Sequence, residues 1–528
     1  MSRRSFIRRT IGAVAGLLAW PPRRAAARGD QAVTLTILHT NDLHGHLTPW
    51  RGWDGDLKGK TVGGLGRLAG AVARARKEAD AGNVLLLDAG DLIGDTMIAD
   101  LTKGKALVDA LNHLGYDALT IGNHEPDFGT AVLRVRIAEA KFPTVACNLV
   151  EKKGGGLLTR PYVIKTVGGV KVGILGLAYP KTARTTAPKN VADVEFQEPV
   201  GAVKQYLPKM RADGAEVAVV LSHLGLGADQ QLAKAVAGID VIVGGHSHNR
   251  MAEAKKVGGA LIVQAGAHGS DLGVLTLTVE KGKVTAHKRT LVPLTHDTVP
   301  GDPAAEKFVA GCLEPHRTAL DAEVGTAAGW LVRAQTLAGQ DARRRGAESP
   351  VDSLFADILR AGTKADVALL PGVGYGVAIP PGPVTAAQLR QLAPHDGQVV
   401  TMRLSGSRVR EVLEQAVENA FTDDPAVKVG GMIQVSGLRF LYDPAAAKGK
   451  RVWSVELTGG TWDDAAEYAV ATNAMLAAGG HNYKTLTGGE KRTEHGSQYE
   501  TIRAWFEKNS PVSTPEPGRI AEEKDPKR

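Results

Sequence analysis

Acidic, amide and imidazole side chains follow five separate apolar runs in this sequence. The segments are Asp42-Leu43-His44, Asp91, Asn123-His124, His223 and His246-Ser247-His248. Carboxylate, imidazole and amide oxygen together suit Mn²⁺, Zn²⁺ or iron better than Ca²⁺ or a thiolate site. The residue types therefore predict a metal site, provided that the fold brings the five segments together.

The apolar runs that precede these segments have the pattern of a layered α/β fold. From Val33 to about Val292, short β-branched runs alternate with helical patterns, which is typical of βαβ units. Ligands gather at the carboxyl edge of such sheets, so side chains far apart in sequence can converge there. A helix is predicted after Gly63-Gly64, with one apolar face. The predicted strands are Leu35–Leu38, Val84–Leu87, Ala118–Ile121, Val217–Leu221 and Val241–Val243, and the helix face is Leu65, Leu68, Ala69 and Val72.

The remainder of the chain is predicted to form a connector and a second, smaller α/β domain. Residues 302–345 have a helical, charge-mixed pattern and are expected to link the domains and to act as their hinge. The second domain is predicted over 348–520, and the charged residues 521–528 are expected to be a disordered tail. Its predicted strands are Val367–Leu370, Val399–Leu404, Ile433–Leu441 and Tyr468–Ala471.

The first 27 residues have the pattern of an export signal. Arg3-Arg4 is followed by an apolar stretch from Ile11 to Trp20 and then by Ala25-Ala26-Ala27. This predicts a twin-arginine signal peptide over residues 1–27, a role for the twin-arginine export machinery, and a periplasmic or extracellular protein. The apolar stretch is too short to cross a bilayer, so no stable membrane anchor is expected. The alternative is an uncleaved amphipathic anchor.

Charge and cysteine content exclude two other kinds of site. The formal net charge is +8, but six arginines lie in residues 1–27, and without them the charge is only +2. A nucleic-acid polymer is therefore not an expected partner. Cys147 and Cys312 are the only cysteines. Two cysteines cannot form a disulfide framework or a cysteine-rich metal site, and the sequence leaves open whether they pair.

The polar segments also resemble a known family. Asp42-X-His44, Gly90-Asp91, Gly122-Asn123-His124-Glu125, His223 and Gly244-Gly245-His246-Ser247-His248 occur in the order found in calcineurin-like metallophosphoesterases. Leu38–His46 and Gly122–Asp127 are similar to the branch of bacterial 5′-nucleotidases and 2′,3′-cyclic phosphodiesterases. The resemblance covers nearly all of the chain after the signal. It implies a four-layer metallophosphoesterase-type β-sandwich over 33–292, flanked by helices, and a 5′-nucleotidase C-terminal domain over 348–520.

The resemblance implies a two-metal hydrolase and assigns its ligands. Two ions side by side can activate water and neutralise charge on phosphoryl oxygens. His124 and Asp127 would act as a pair, because the carboxylate can orient an imidazole that stabilises the transition state or protonates the leaving oxygen. Asp127 could instead be a turn residue, since Pro126 replaces the usual aromatic. Asp42, His44 and His248 would hold one ion, Asn123, His223 and His246 the other, and Asp91 would bridge them.

The substrate-binding positions depart from the family pattern. Pro371 and Gly376 stand where the family has Asn and Arg, so a charge-assisted grip on phosphate is missing there. Met432 and Met475 replace the two stacking aromatics, and they could equally be core residues. His46 could reach the phosphate or support the fold. The candidate substrate contacts are His46, Tyr375, Met432, Met475 and His481, of which His481 replaces an Asp.

Three functions remain open on this sequence. The first is a periplasmic hydrolase with two Mn²⁺, Zn²⁺ or iron ions that acts on a small phosphorylated substrate, as a 5′-nucleotidase or a 2′,3′-cyclic nucleotide phosphodiesterase. The second is a thiosulfohydrolase-like enzyme of sulfur oxidation that acts on a carrier-protein cysteine, suggested by Pro371-Gly372 and Met432. The third is a non-catalytic, metal-containing binding protein.

Overall fold

Two six-stranded sheets lie at the centre of the N-terminal part of the molecule. The computed structural model describes residues 32–52, 55–79, 81–333, 348–373, 376–422 and 431–526. In both sheets the four strands that precede or neighbour the candidate ligands run parallel. In spatial order the first sheet contains Lys283–Pro293, Asp271–Glu280, Val33–Thr40, Val84–Asp88, Ala118–Thr120 and Thr144–Val145. The second sheet, also in spatial order, contains Lys255–Val257, Ala260–Val263, Val241–Gly244, Val217–Ser222, Val170–Leu177 and Tyr162–Val167.

The two sheets pack face to face and helices cover their outer faces. Leu35, Leu87 and Val219 are among the fully buried residues between the sheets. Alternate residues of the same strands, such as Leu38 and Val220, face outward into two further apolar cores beneath the helices. The four-layer sandwich expected from the sequence is therefore confirmed. Its helices are Leu65–Glu78, Met97–Thr102, Lys105–Leu114, Thr130–Glu139, Pro199–Ala212 and Leu226–Ala235. There are 3₁₀ turns at Gly55–Leu57, Ala81–Asn83, Thr182–Arg184 and Pro188–Val191. Two small two-stranded sheets pair Trp50–Arg51 with Thr61–Val62 and Leu149–Glu151 with Val194–Phe196.

The first helix illustrates how the sequence specifies these layers. It begins at Leu65, directly after Gly64, whose φ of 87° is a conformation that glycine adopts without steric cost. Leu65, Leu68 and Val72 lie one helical turn apart and are buried against the first sheet, as predicted. Each buried leucine or valine contributes about 1.5–3 kcal/mol relative to an exposed one, so this face fixes the helix to the sheet.

The connector differs from its prediction. Residues 302–345 were expected to be helical, and helices Pro303–Leu313 and Arg317–Leu320 are present with a 3₁₀ turn at Glu314–His316. Glu323–Ala327, however, forms a strand that pairs with Gly382–Thr385. A strand that pairs with the C-terminal part thus lies within the range that was predicted to be a helical connector.

A five-stranded sheet forms the centre of this C-terminal part. Ile433–Leu441 was predicted as one strand, but Gly437 adopts a φ of 80° and divides it into two strands that belong to different sheets. Helices Pro350–Thr363, Ala386–Leu392, Gly406–Phe421, Ala474–Ala477 and Gln498–Asn509 and 3₁₀ turns Gly480–Asn482 and Lys484–Gly488 complete it. The five-stranded sheet has the order Gln434–Ser436, Val367–Leu370, Glu467–Asn473, Gln398–Ser405 and Glu490–Ser497, and a three-stranded sheet has the order Val452–Leu457, Leu438–Tyr442 and Ile520–Glu522.

The last strand corrects the predicted tail. Ile520–Glu522 pairs in parallel with Leu438–Tyr442, although residues 521–528 were expected to be disordered. The carboxylate of Glu348 holds this segment, since one of its oxygens accepts backbone N–H bonds from Gly518 and Arg519, both at 2.7 Å. The local charge pattern could not reveal this contact, because its partner lies about a third of the chain away.

The two cysteines do not form a disulfide with each other. Cys147 is buried and Cys312 is half-buried, and both are free thiols. Within the described residues, no helix combines the length and the hydropathy needed to cross a membrane. The predicted signal over residues 1–27 lies outside the described residues.

Replacing Glu348 tests its hold on the last strand. We expect Glu348→Ala to lower the free energy of unfolding by about 1–3 kcal/mol, because several backbone N–H groups lose their acceptor. Urea unfolding followed by circular dichroism measures the change. The matched control is Glu516→Ala, an exposed glutamate near the same strand. An unchanged unfolding midpoint in Glu348→Ala would contradict this account of the strand.

Candidate metal centre

The predicted ligands lie together where the parallel strands end. Asp42 and His44 follow Val33–Thr40, and Asp91 and Asn123 follow the next two strands of the same sheet. His223, His246 and His248 follow neighbouring strands of the second sheet. Because the two sheets are stacked, their carboxyl ends form one edge.

Unusual backbone conformations turn these side chains toward each other. Non-glycine residues rarely adopt a positive φ, and such strain is often found at functional sites. Here the loops at this edge contain a concentration of them. The positive-φ residues are Asp42, His44, Asp91, Asp95, His246, His248 and His268, with φ between 45° and 69°.

Two groups of ligand atoms result. In the first group, Nε2 of His44 lies 3.1 Å from Nε2 of His248, and Nε2 of His248 lies 3.4 Å from Oδ1 of Asp42. The second group is Asp91, His223 and His246, with His223 Nε2 at 2.9 Å from Asp91 Oδ2. The same oxygen of Asp91 is 3.9 Å from His44 Nε2. Asp91 therefore lies between the two groups.

These distances and one buried oxygen fit metal ions. Atoms bound to one ion at about 2.0–2.2 Å lie roughly 3–4 Å from each other, which is the spacing found in both groups. Oδ1 of Asn123 is buried, and no described residue donates a hydrogen bond to it. Such an atom is costly unless another partner satisfies it. Buried carboxylate, imidazole and amide donors are the ligands expected for divalent transition metals.

Electrostatics keeps most of these groups in the form that binds metal. Burial lowers the pKa of His44 to about 4 and that of His246 to about 3, so both rings are neutral at pH 7. Burial opposes ionisation of Asp42, but His248 and His223 outweigh it and bring its pKa to about 2. Neutral imidazole and ionised carboxylate are the ligating forms.

His223 differs because it faces both carboxylates. Burial lowers its pKa, but Asp91 and Asp42 raise it to about 10. Its Nδ1 lies 2.7 Å from the carbonyl oxygen of Ala89, which can accept the proton on that nitrogen. A cation beside Asp91 and Asp42 would replace the second proton on Nε2.

Two side chains outside the ligand set fix the loops. Asn41 donates from Nδ2 to Oδ2 of Asp42 at 2.6 Å and to the carbonyl oxygen of Gly266. Glu125 accepts backbone N–H bonds from Gly122 at 2.6 Å and Leu92 at 2.7 Å, and it thereby joins the loops that carry Asp91 and Asn123. Burial raises the pKa of Glu125 to about 7. Glu125 belongs to a motif recognised in the sequence, but no role was predicted for it.

His124 and Asp127 form the predicted pair. Nδ1 of His124 lies 2.6 Å from Oδ2 of Asp127. Thr186 donates to the other oxygen of Asp127 at 2.9 Å, so the carboxylate is held from two sides. Burial lowers the pKa of His124, but Asp127 and Asp91 outweigh it and raise it well above the usual value.

Four residues near the centre were not predicted from the sequence. Asp95 and His268 lie beside His44, and the ring of Tyr179 is tilted against that of His246 with centroids 3.9 Å apart. His395 comes from the C-terminal part, and its ring is parallel to that of His124 at 5.7 Å. Asp95 follows Gly94 in the Asp91 loop and could have been noticed. His268 and His395 have no local signal that separates them from ordinary histidines.

The predicted substrate contacts are mostly not at the centre. Met432 is 0% exposed within the core of the C-terminal part, which is the core position that the sequence left open for it. Met475 packs half-buried against the same core, and His481 lies on the 3₁₀ turn Gly480–Asn482. Tyr375 lies outside the described residues. His46 is near the centre, but its Nδ1 faces the carbonyl of His44 at 3.0 Å and its ring stacks on His268.

Comparisons with known proteins agree with this architecture. The calcineurin-like phosphoesterase family model matches residues 35–250, and the 5′-nucleotidase C-terminal domain model matches residues 323–488. Protein UshA of Yersinia enterocolitica is 27% identical over 95% of this chain and 96% of its own length. The crystal structure of a 5′-nucleotidase precursor from Thermus thermophilus has a TM-score of 0.80 at 30% identity, and covers 94% of this chain and 100% of that one. The sulfate thiohydrolase SoxB of Thermus thermophilus, at 24% identity and a TM-score of 0.81 over 94% of this chain and 97% of that one, shares the fold.

The fold and the convergent ligand set define a hydrolase of phosphate esters that depends on divalent metal ions. More narrowly, the chain belongs to the 5′-nucleotidase family, in which a calcineurin-like phosphoesterase domain precedes a 5′-nucleotidase C-terminal domain. The resemblance seen in the sequence is thereby confirmed.

The stacking of His395 on His124 can be tested by replacing the ring. Stacked aromatic pairs contribute about 0.5–1.5 kcal/mol, so we expect His395→Ala to lower kcat/KM by about 2- to 10-fold. Hydrolysis of bis(4-nitrophenyl) phosphate provides the assay. His395→Phe keeps a flat ring and should retain most activity, and His495→Ala, on an exposed strand, is the matched control. An equal loss in His395→Phe would show that an imidazole nitrogen matters rather than the stack.

Proposed function

We propose that this chain is an exported hydrolase with two metal ions that acts on small phosphate esters of the nucleotide class, as a 5′-nucleotidase or a 2′,3′-cyclic nucleotide phosphodiesterase. The observation that carries the proposal is the convergence of the predicted ligands at one sheet edge, beside the hydrogen-bonded pair His124 and Asp127. A non-catalytic binding protein would not require that pair.

The ligand roles rest on the two groups of atoms, and Asn123 is added because its buried Oδ1 has no donor among the described residues. We assign Asp42, His44 and His248 to one ion, Asn123, His223 and His246 to the other, and Asp91 to both. Bound there, Mn²⁺ or Zn²⁺ would activate water and neutralise charge on the phosphoryl oxygens. Asn41 and Glu125 hold the loops so that the ligands need not reorganise when substrate binds.

His124 is assigned the proton transfer at the leaving oxygen. Asp127 holds Nδ1 of its ring at 2.6 Å, which leaves Nε2 for the substrate. Thr186 and Asn190 donate to Asp127, at a carboxylate oxygen and at the backbone carbonyl respectively, and keep it in place. A positioned general acid typically contributes about 10²–10⁴-fold in rate.

Recognition in the C-terminal part is proposed to differ from the family pattern. A Cβ at Gly376 would lie 2.7 Å from Nη1 of Arg333, so the family's arginine could not be accommodated without a shift. Arg333 is itself buried and paired with Asp352, with Nε to Oδ1 at 2.9 Å. Met432 lies in the core as well, whereas His395 of the C-terminal part lies against His124 of the proposed catalytic pair.

Export is proposed from the twin-arginine pattern in residues 1–27. That route carries folded proteins, so the metal centre could be loaded before the protein leaves the cytoplasm. Periplasmic delivery would also place the enzyme where extracellular nucleotides are encountered.

A substrate panel tests the proposed activity. We expect protein purified with Mn²⁺ to release phosphate from nucleoside monophosphates, UDP-sugars or, after coupled dephosphorylation, 2′,3′-cyclic nucleotides. Asp91→Asn should abolish turnover and reduce bound metal, because Asp91 lies between both ligand groups. If the protein binds metal but turns over none of the panel, a cysteine-bearing sulfur carrier becomes the substrate to try, and the nucleotide proposal fails.

A second variant tests the acid pair separately from the metals. Asp127→Asn should lower kcat by about 10- to 100-fold while KM and metal content stay near wild type, because only the orientation and charge of His124 change. The matched control is Asp193→Asn, an exposed carboxylate that pairs with Arg134. A loss of bound metal in Asp127→Asn would contradict this division of roles.

A further inference from the structure

Asp95 is a buried carboxylate beside the metal centre that has no role in the chemistry described above. It lies four residues after Asp91, is 2% exposed and has a left-handed φ of 53°. Ionised carboxylates are almost never fully buried unless they are paired, so its neighbours should explain its presence. Its nearest ring nitrogens are Nδ1 of His44 at 3.4 Å and Nε2 of His268 at 3.9 Å, both from Oδ2.

The two nitrogens of His44 face different groups. Nε2 faces the ligand atoms, at 3.1 Å from Nε2 of His248 and 3.8 Å from Oδ1 of Asp42. Nδ1 faces Asp95. A neutral imidazole carries one proton, and the nitrogen that carries it cannot bind a metal. A carboxylate beside Nδ1 favours the tautomer with the proton on that side and leaves the lone pair of Nε2 for the metal.

His223 has a comparable arrangement with a neutral partner, which it contacts through a hydrogen bond. Its Nδ1 lies 2.7 Å from the carbonyl oxygen of Ala89, and its Nε2 faces Asp91. The ring in one ligand group is thus oriented by a neutral backbone carbonyl, and the ring in the other by a charged carboxylate. At 3.4 Å, Asp95 acts on Nδ1 of His44 through its negative charge, which also lies behind the ligand.

We propose that Asp95 is a positioning residue that fixes the Nδ1-protonated tautomer of His44 and makes the His44 side of the centre the tighter of the two metal sites. This inference rests on the proposed two-metal function. His268 is the second neighbour of Asp95, and its ring stacks on His46 at 4.2 Å, so the carboxylate lies against two imidazoles that other rings hold in place.

A competing interpretation makes Asp95 a ligand itself. His44, Asp95 and His124 also offer ligand atoms within 4.8 Å of one another. A third ion there would need Nδ1 of His44 without a proton, whereas the positioning role needs the proton on that nitrogen. The two interpretations therefore differ in metal stoichiometry.

Cobalt binding to the full chain distinguishes them. Isothermal titration of the metal-free protein with Co²⁺ should give two equivalents of unequal affinity, and visible absorption reports the coordination at each. We expect Asp95→Ala to weaken one site by about 10- to 100-fold and to alter its spectrum, while the other stays within about twofold. Asp95→Asn keeps an acceptor oxygen without the charge and should lose less. Asn123→Ala should instead weaken the site that is insensitive to Asp95.

The outcomes separate this inference from the function on which it rests. Three equivalents of Co²⁺ in the wild-type protein, or two unaltered sites in both Asp95 variants, would overturn the positioning role and leave the phosphoesterase intact. No bound Co²⁺ in the wild type would overturn both. Asp109→Asn, a half-buried carboxylate paired with Lys105, is the matched control, and thermal unfolding of the metal-free variants excludes a general loss of structure.

Discussion

The structure depends on burying two ionised carboxylates, Asp42 and Asp91, at the edge of a sandwich whose interior is apolar. Taking a carboxylate out of water costs several kcal/mol unless charge and hydrogen bonds compensate it. Here the compensation comes from imidazoles, from backbone N–H groups and from Asn41. Divalent cations bound at these carboxylates would complete it.

Apolar packing positions the loops at this edge. The loops that carry the proposed ligands follow strands that are buried on both faces, such as Val217–Ser222, and buried loop residues such as Leu43 and Leu92 join the apolar core. Glu125 then ties two of these loops by their backbone N–H groups. The packed strands hold the starts of these loops in place, and the hydrogen bonds at the edge of the sandwich hold the proposed ligands relative to one another.

The C-terminal part reaches the centre through a short and well-anchored segment. Helix Ala386–Leu392 begins with a capping box between Thr385 and Gln388, and Arg390 near its end pairs with Asp100 of the N-terminal part, with Nε to Oδ2 at 2.7 Å. His395 lies three residues after the end of this helix at Leu392. Its position against His124 is thus set by a helix cap and an ion pair, and not by the glycine-rich turn where the family pattern places substrate recognition.

How much the sequence predicted depended on whether the signal was local. Strands such as Val367–Leu370 were predicted within a residue, because β-branched apolar runs between polar residues leave few alternatives. The residues proposed as ligands could be singled out because each follows such a run. Asp95, His268 and His395 could not, because their partners are distant in sequence. For Met432 the sequence left a core position and a ligand contact open, because an apolar residue in a loop pattern does not reveal which way it faces.

The left-handed backbone at the ligand loops also limits how this enzyme can change. At Asp42, His44, Asp91 and His246, only glycine and short polar residues adopt the observed φ without a cost of about 1–2 kcal/mol. A saturation library at these positions would therefore confound backbone strain with loss of ligation. Asparagine is the informative substitution, since it tolerates this backbone conformation while removing the carboxylate or the imidazole. Evolutionary drift away from catalysis would be expected to pass through the same narrow set of residues.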